Sequence, residues 1–211
     1  PPPLTVEQQV ERDRVQAEND ERKIRESRKN TWAEFCAWRG TRYANATLSG
    51  FEVARDEAVA KQQRDALDAL AGYISELPRN VDDGRGIVLY GPKGTGKDHL
   101  MSAVLRVAVL SHGIDVKWAN GMDLFGEFRD LIDGEANESK FVKSLASPSI
   151  LAISDPVPPV GNLTGWQMSQ LFRVIDMRYR NMKPIFVTMN ATGAGDAESR
   201  MSGQIVDRLR D

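Results

Sequence analysis

A glycine-rich stretch between two apolar segments constrains the fold of this chain more than any other feature. The stretch Gly91–Lys97 fits the phosphate-loop spacing G-x-x-x-x-G-K. A short apolar run, Ile87–Tyr90, precedes it, and an apolar stripe at helical spacing follows from Leu100 to Ala108. The glycines therefore lie between a predicted buried strand and a predicted helix, which is the context that this motif requires.

The residue types in this stretch suit an anion-binding loop. Glycine lets the backbone approach a phosphate closely and adopts positive φ at little cost. Backbone N–H groups at a helix N-terminus then form a nest for negative charge, and Lys97 can reach the β- and γ-phosphates. We therefore predict ATP as the ligand, with a plain turn between two core elements as the alternative. The predicted binding residues are Gly91, Pro92, Lys93, Gly94, Thr95, Gly96, Lys97, Asp98 and His99.

Composition excludes several other classes of protein. The 211 residues carry a net charge of −2, so a strongly basic protein is excluded. The single cysteine, Cys36, excludes an internal disulfide framework and a cysteine-rich zinc site, and two histidines make a poor metal centre. We find no signal peptide and no apolar run long enough to span a bilayer, so we expect a cytoplasmic protein without membrane contact.

Strand and helix patterns alternate along the chain, which predicts an α/β fold with a mostly parallel sheet covered by helices on both faces. The fully apolar run 149–155 is expected to be a central strand. The predicted strands are 87–90, 116–119, 149–155 and 183–190. The predicted helices are 56–77, which Pro78 is expected to end, 97–112, 122–132, 138–145, 166–182 and one near the C-terminus capped by Asp196. No further strand pattern follows, so we expect a truncated chain that lacks a C-terminal strand.

The N-terminal segment differs in composition from the rest. Residues 6–29 are almost all polar or charged and contain too few apolar side chains to fold alone, although their residue types favour a helix. We predict a charged arm or linker at 1–41 and a nucleotide-binding domain at 42–211. The arm is either solvated or docks to a partner protein. A following aromatic cluster at 32–38 is expected to seal a core edge or to pack on a neighbour.

The order of these segments resembles the bacterial helicase-loader ATPases of the AAA+ class (DnaC/DnaI-like) and their transposon-encoded IstB-like relatives. The resemblance is carried by Gly91–Leu100, Arg42–Phe51, Leu171–Tyr179, Lys183–Asn190 and Ile205–Leu209. It implies a P-loop NTPase fold of the AAA+/ASCE type. It also implies a protein of DNA replication that assembles around a replicative helicase and helps to place it on single-stranded DNA.

The resemblance implies roles for particular residues. Asn190 is similar to the polar sensor that contacts the γ-phosphate and positions water. Arg208, in Asp207-Arg208-Leu209, is similar to the arginine finger that acts on the nucleotide of a neighbouring subunit. These roles imply self-association through the ATP site. The segment Arg42–Phe51 is expected to lie near the adenine base of the nucleotide.

The second ATPase signature, an apolar strand followed by two acids, is altered here. The strand ends Ser154-Asp155-Pro156. In one alignment Ser154 replaces the acid that holds Mg²⁺ and Asp155 is the base. In the other, Asp155 is the metal acid and Pro156 replaces the base, which would slow hydrolysis because proline cannot accept a proton.

The residue after Lys97 is also unusual. The motif expects a Ser or Thr hydroxyl as a Mg²⁺ ligand, and this chain has Asp98. If Ser154 occupies the metal-acid position, a hydroxyl and a carboxylate have exchanged places around the same Mg²⁺, which accepts oxygen ligands from either side. The predicted metal residues are therefore Asp98, Ser154 and Asp155. The alternative is a degenerate site with impaired hydrolysis.

These observations predict an ATP-binding and ATP-hydrolysing helicase loader. Two other functions remain open: a transposition helper ATPase that acts on duplex DNA, and a non-catalytic adaptor that binds nucleotide without turnover.

Overall fold

The computed structural model describes residues 5–131, 135–158 and 161–210. Parts of three predictions lie outside the described residues: residues 1–4 of the charged arm, Ile132 at the end of a helix, and Asp211 at the end of the nucleotide-binding domain.

The strands of the described chain form one parallel sheet in the order β1-β4-β3-β2. The strands are β1 Ile87–Tyr90, β2 Val116–Asn120, β3 Ile150–Ser154 and β4 Ile185–Met189. Strand β3 is internal and buried along its whole length, which confirms the prediction from its unbroken apolar run.

Helices cover both faces of the sheet, and each face has its own apolar core. Leu151 and Ile153 of β3 pack in the core beneath α5–α9, whereas Ile150 and Ala152 pack in the core beneath α1–α4. The predicted α/β architecture is therefore confirmed. The helices are α1 Val6–Arg39, α2 Glu57–Ser75, α3 Leu77–Asp82, α4 Lys97–His112, α5 Gly121–Asp130, α6 Glu135–Ala146, α7 Gly165–Arg180, α8 Ala194–Met201 and α9 Gly203–Arg210, with a 3₁₀ turn at Thr41–Tyr43.

Two helix predictions were wrong at their ends. Pro78 does not end the helix after residue 56. It lies in the first turn of α3, where proline fits because its missing N–H would have no helical partner. The predicted C-terminal helix is two helices, because the backbone leaves the helical region at Ser202, with φ 96°. Asp196 does serve the N-terminus of α8, accepting a hydrogen bond from the Thr192 N–H at 2.8 Å, but α8 begins earlier, at Ala194.

Helix α1 is a continuous helix of two different halves. Its N-terminal half is exposed, with Val6 at 81% and Val10 at 63%. Its C-terminal half packs on α4 and buries Trp32 and Cys36 in the core of α1–α4. Trp38 is 61% exposed and does not seal this core, because it lies about 200° around the helix from Cys36. The domain boundary after residue 41 stays a prediction.

Among the helices that the structure describes, none is both long and apolar enough to cross a bilayer.

Candidate nucleotide-binding site

The phosphate loop connects β1 to α4 at the carboxyl edge of the sheet. Gly94 and Gly96 have φ of 84° and 86°, which side-chain-bearing residues rarely adopt. A Cβ atom on Gly96 would lie 2.4 Å from the ring of Phe51, so this glycine is required by space as well as by conformation. The loop predicted from the sequence therefore has the backbone shape of an anion nest at a helix N-terminus.

Lys97 lies in the first turn of α4 and points back over the loop. Its Nζ donates hydrogen bonds to the carbonyl oxygens of Gly91 at 3.1 Å and Pro92 at 2.9 Å, and to Asn190 Oδ1 at 2.9 Å. Burial lowers the pKa of the Lys97 ammonium, although Asp155 and Asp98 oppose this shift. A cation that is partly stripped of water and surrounded by oxygens is suited to receive an anionic ligand.

Asp98 and Ser154, which the exchange hypothesis pairs, are in direct contact. Ser154 Oγ lies 3.0 Å from both carboxylate oxygens of Asp98. A third residue joins them, since Thr188 Oγ1 donates to Asp98 Oδ1 at 2.7 Å. The parallel register produces this cluster, because Ser154 on β3 lies opposite Thr188 on β4. The result is one carboxylate with two hydroxyl groups beside the phosphate loop.

Asp155 follows β3 directly and has an unusual backbone conformation, with φ 46°. Its N–H donates to the Thr188 carbonyl at 2.9 Å, and its Oδ1 is buried without a hydrogen-bond partner among the residues that the structure describes. Burial and then the nearby Asp98 charge raise the pKa of the Asp155 carboxyl, whereas Lys97 and Asn190 oppose the shift. Asp155 is therefore an acid with a free acceptor atom at the edge of the site.

The other wall of the cavity is aromatic. The His99 ring meets those of Tyr43 and Phe51 edge-on at centroid distances of 6.0 Å and 5.4 Å. Its Nε2 lies 3.0 Å from the Thr47 carbonyl oxygen. Tyr43 and His99 line an open cavity of about 730 Å³ together with Lys97, Asp98, Asp155 and Asn190. Its size falls within the usual range of small-molecule sites.

Arg208 is the one predicted site residue that lies away from this cavity. Its guanidinium covers the Tyr179 ring at 4.4 Å, and its Nε lies 3.6 Å from Asp176. It lines a smaller cavity with Gly84 and Ile185, near the amino ends of β1 and β4. The fold thus brings together the phosphate loop, Asp98, Ser154, Asp155 and Asn190 within one chain, but not Arg208.

Sequence analysis missed two residues of the site, Thr188 and Gln63. Thr188 is completely buried in β4, and a threonine in a strand is unremarkable unless its partner is known. The available signal was its register, since it precedes Asn190 by two residues and so belongs to the same face of the strand. Gln63 lies in α2 and donates to the Thr95 carbonyl at 3.0 Å, a contact that no sequence pattern indicates.

Comparison with known families decides what kind of site this is. The family of IstB-like ATP-binding proteins matches residues 13–209. This chain belongs to that family. The phosphate loop and the residues around it therefore lie in an ATP-binding domain, in agreement with the family resemblance of the sequence.

Individual relatives share less than a third of their aligned residues with this chain. The chain is 26% identical over 153 residues to XkdC, a protein of the phage-like element PBSX of Bacillus subtilis, which covers 69% of this chain and 55% of the relative. It is 29% identical over 114 residues to a protein of a Mycobacterium tuberculosis insertion sequence that is named for ATP binding, covering 53% and 43%. The chain spans about half the length of the curated relatives it matches.

Solved structures agree on the fold. A DnaC helicase loader matches with a TM-score of 0.68 and 26% identity, over 80% of this chain and 94% of that one. DnaI matches with a TM-score of 0.58 at 16% identity, over 79% and 84%. The fold is that of the P-loop AAA+ proteins.

Proposed function

We propose that this chain is the ATP-binding part of a protein that places a replicative helicase on single-stranded DNA. The observation that supports ATP as the ligand is the convergence of Lys97, Asp98, Asp155 and Asn190 on the cavity beside the phosphate loop. Likeness to the solved structure of a DnaC helicase loader, over 94% of the chain in that structure, supports the loader role.

The triphosphate binds along the loop from Gly91 to His99, with its oxygens on the backbone N–H groups and on Lys97. Lys97 exchanges its hydrogen bonds to loop carbonyls for charge-assisted bonds to phosphate oxygens, which are stronger. The adenine base lies toward Tyr43 and His99, whose rings line the cavity, with Phe51 packed edge-on against His99.

The oxygen cluster around Asp98 fits Mg²⁺. A carboxylate and hydroxyl groups are the hard ligands that this ion prefers, and Ser154 and Asp98 are already within 3.0 Å of each other. We propose that Asp98 supplies the acid and Ser154 the hydroxyl, the reverse of the usual arrangement, with Asp155 as the nearest further carboxylate. Mg²⁺ bound there neutralises charge on the β- and γ-phosphates.

Asp155 has the properties of a proton acceptor for hydrolysis. Its Oδ1 has no hydrogen-bond partner, and its raised pKa brings it closer to the pH at which a general base works well. Asn190, which contacts both Lys97 and Asp155, is placed to sense the γ-phosphate. Arg208 lies elsewhere on the domain and acts on the nucleotide of a neighbouring copy, so the proposal requires self-association.

Three measurements test this function in sequence. Calorimetry with Mg-ATP should show binding at micromolar to millimolar ligand. ATP turnover should rise with single-stranded DNA, and the replicative helicase of the same host should be retained by the immobilised protein. ATP binding without retention of the helicase, with or without nucleotide, would contradict the loader role.

A second function is favoured by the matched family and by the insertion-sequence relative. In this alternative the protein is a transposition helper that assembles on duplex DNA with a transposase. Filaments on duplex DNA in the presence of ATP, seen by electron microscopy, would favour it over the loader. ATP binding without turnover on either DNA would indicate the non-catalytic adaptor.

A further inference from the structure

A buried glutamine joins the phosphate loop to the segment on the base side of the cavity. Gln63 lies on α2 and is only 9% exposed. Its Nε2 donates to the Thr95 carbonyl oxygen at 3.0 Å, and its Oε1 accepts from the Ala54 N–H at 2.7 Å. Both ends of the amide are thus bonded to main chain, at two points 41 residues apart.

The orientation of the Thr95 carbonyl decides whether the loop can bind an anion. Thr95 lies between Gly94 and Gly96, both at positive φ, so the peptide planes on either side are held in place by few steric constraints. A carbonyl turned into the loop would direct its negative end at the phosphates. The Gln63 amide bonds this carbonyl on the side of α2, which leaves the backbone N–H groups to face the ligand.

The other end of the bridge holds segment 47–54, on the nucleobase side of the cavity, in place. Ala54 lies three residues after Phe51, whose ring packs against Gly96 so closely that no Cβ would fit there. The Thr47 carbonyl contacts His99 Nε2 in the first turn of α4. Segment 47–54 is therefore held against the loop and the first turn of α4 by three connections: the Phe51–Gly96 packing, the Thr47–His99 hydrogen bond and the Gln63 bridge.

We propose that Gln63 is a positioning residue for the nucleotide, which holds the phosphate loop ready for an anion and sets its distance from the base-side segment. This rests on the proposed binding of ATP at this loop. Gln63 does not touch the ligand, and its effect passes through the Thr95 carbonyl.

Substitution by glutamate isolates the loop end of the bridge. Gln63→Glu keeps an acceptor for the Ala54 N–H but replaces the donor with a carboxylate that repels the Thr95 carbonyl. We expect ADP affinity to fall about tenfold, the equivalent of roughly one hydrogen bond. Hydrogen exchange of the backbone amides at 91–97, in the protein without nucleotide, should become faster by a similar factor.

Gln170 provides the matched control. It is a second buried glutamine, 8% exposed on α7, and its side chain bonds Arg173 instead of the loop. Gln170→Glu makes the same chemical change away from the cavity and should leave both ADP affinity and exchange at 91–97 unchanged. Thermal melting of both variants confirms that they are folded. Gln63→Leu, which cannot carry a charge, serves as a second variant and should show the same two changes.

The outcomes separate this inference from the proposed function. Wild-type protein that fails to bind ADP contradicts the proposed function, but exchange at 91–97 still decides the role of Gln63. Wild-type protein that binds ADP, together with folded Gln63 variants that bind it within twofold of wild type, overturns the inference and leaves the proposed function standing.

Discussion

Charged side chains lie at both the amino and the carboxyl edge of the sheet, but they differ in burial and in hydrogen bonding. At the amino edge, Arg178 is completely buried and its guanidinium donates to five backbone carbonyls, at 2.8–3.2 Å. At the carboxyl edge, Lys97, Asp98 and Asp155 are only partly surrounded, and Asp155 Oδ1 has no partner. The accepting carbonyls belong to Leu145, Ala146, Pro148, Ser149 and Pro184.

This difference separates a structural charge from one suited to binding. The protein itself supplies the terminal nitrogens Nη1 and Nη2 of Arg178 with acceptors, so the side chain joins the end of α6 to the starts of β3 and β4. Within the described residues only its Nε is buried without a partner. Burial lowers the pKa of Arg178 to about 10, which still leaves it protonated at neutral pH. The charged groups at the carboxyl edge line an open cavity and remain accessible to a ligand. Substitutions at the two edges should therefore affect different quantities.

The largest effect is expected on stability, from Arg178→Met. Removal of the guanidinium leaves several buried carbonyls without donors, at a cost of about 3 kcal/mol in the free energy of unfolding. Urea denaturation measures this loss, and the protein that remains folded should bind ATP normally. Arg180→Met is the control, because the Arg180 side chain is 67% exposed and should lose little. Equal stability of both variants would show that the carbonyls do not depend on Arg178.

Lys97→Ala should weaken ATP binding and leave stability almost unchanged, which is the reverse of the effect expected for Arg178→Met. ATP affinity should fall about a hundredfold, because the phosphates lose their closest cation, a change of about 2.8 kcal/mol. Thermal stability should be unchanged or slightly higher, since a partly desolvated ammonium is removed. Lys61→Ala, at an exposed position on α2, is the control for the loss of one positive charge. A large loss of stability in Lys97→Ala would mean that this lysine is structural, like Arg178.

The exchange of metal ligands predicts a smaller effect with a distinctive pattern. Asp98→Thr should weaken the Mg²⁺-dependent part of ATP affinity about tenfold, since Ser154 and Thr188 alone offer no charge to the ion. The double variant Asp98→Thr/Ser154→Asp should recover it, because the acid returns on the strand. Calorimetry with and without Mg²⁺ measures both. The exchange hypothesis fails if the single and double variants bind Mg-ATP equally well.

Asp155→Asn should give the smallest effect, a modest gain in stability at neutral pH. The folded pKa of this carboxyl is raised, so its ionised form is disfavoured by folding. The unfavourable contribution is full above the folded pKa and disappears below the unfolded pKa, where the carboxyl is neutral in both states. Urea denaturation at pH 7 and at acid pH should show a gain that shrinks as the pH falls. A gain independent of pH would point to the backbone conformation instead of the charge.

The carboxyl edge could largely be predicted from sequence, whereas the amino edge could not. The phosphate loop depends on glycines and a lysine at fixed spacing, and the apolar runs beside it identify the strands that present Ser154 and Asn190. The role of Arg178 depends on five carbonyls, four of which belong to the distant segment 145–149. From sequence, an arginine in the last turn of a helix is expected to be a solvated partner of the helix dipole.

The same reasoning explains the errors in helix ends and in the aromatic cluster. Pro78 was expected to end a helix, but its position in a first turn depends on where the preceding helix stops. Trp38 and Cys36 are close in sequence, and only the face of α1 that meets α4 decides that one is exposed and the other buried. Thr188 was missed because its partner, Asp98, is 90 residues away, and only its position two residues before Asn190 pointed to the site.

The position of Cys36 has a practical consequence. It is the only cysteine of the chain, it is 3% exposed between α1 and α4, and burial raises the pKa of its thiol. A maleimide reagent can therefore modify it only when α1 separates from the nucleotide-binding core. The rate of labelling measures how often this separation occurs, and a comparison with and without Mg-ATP shows whether the ligand controls the attachment of the arm.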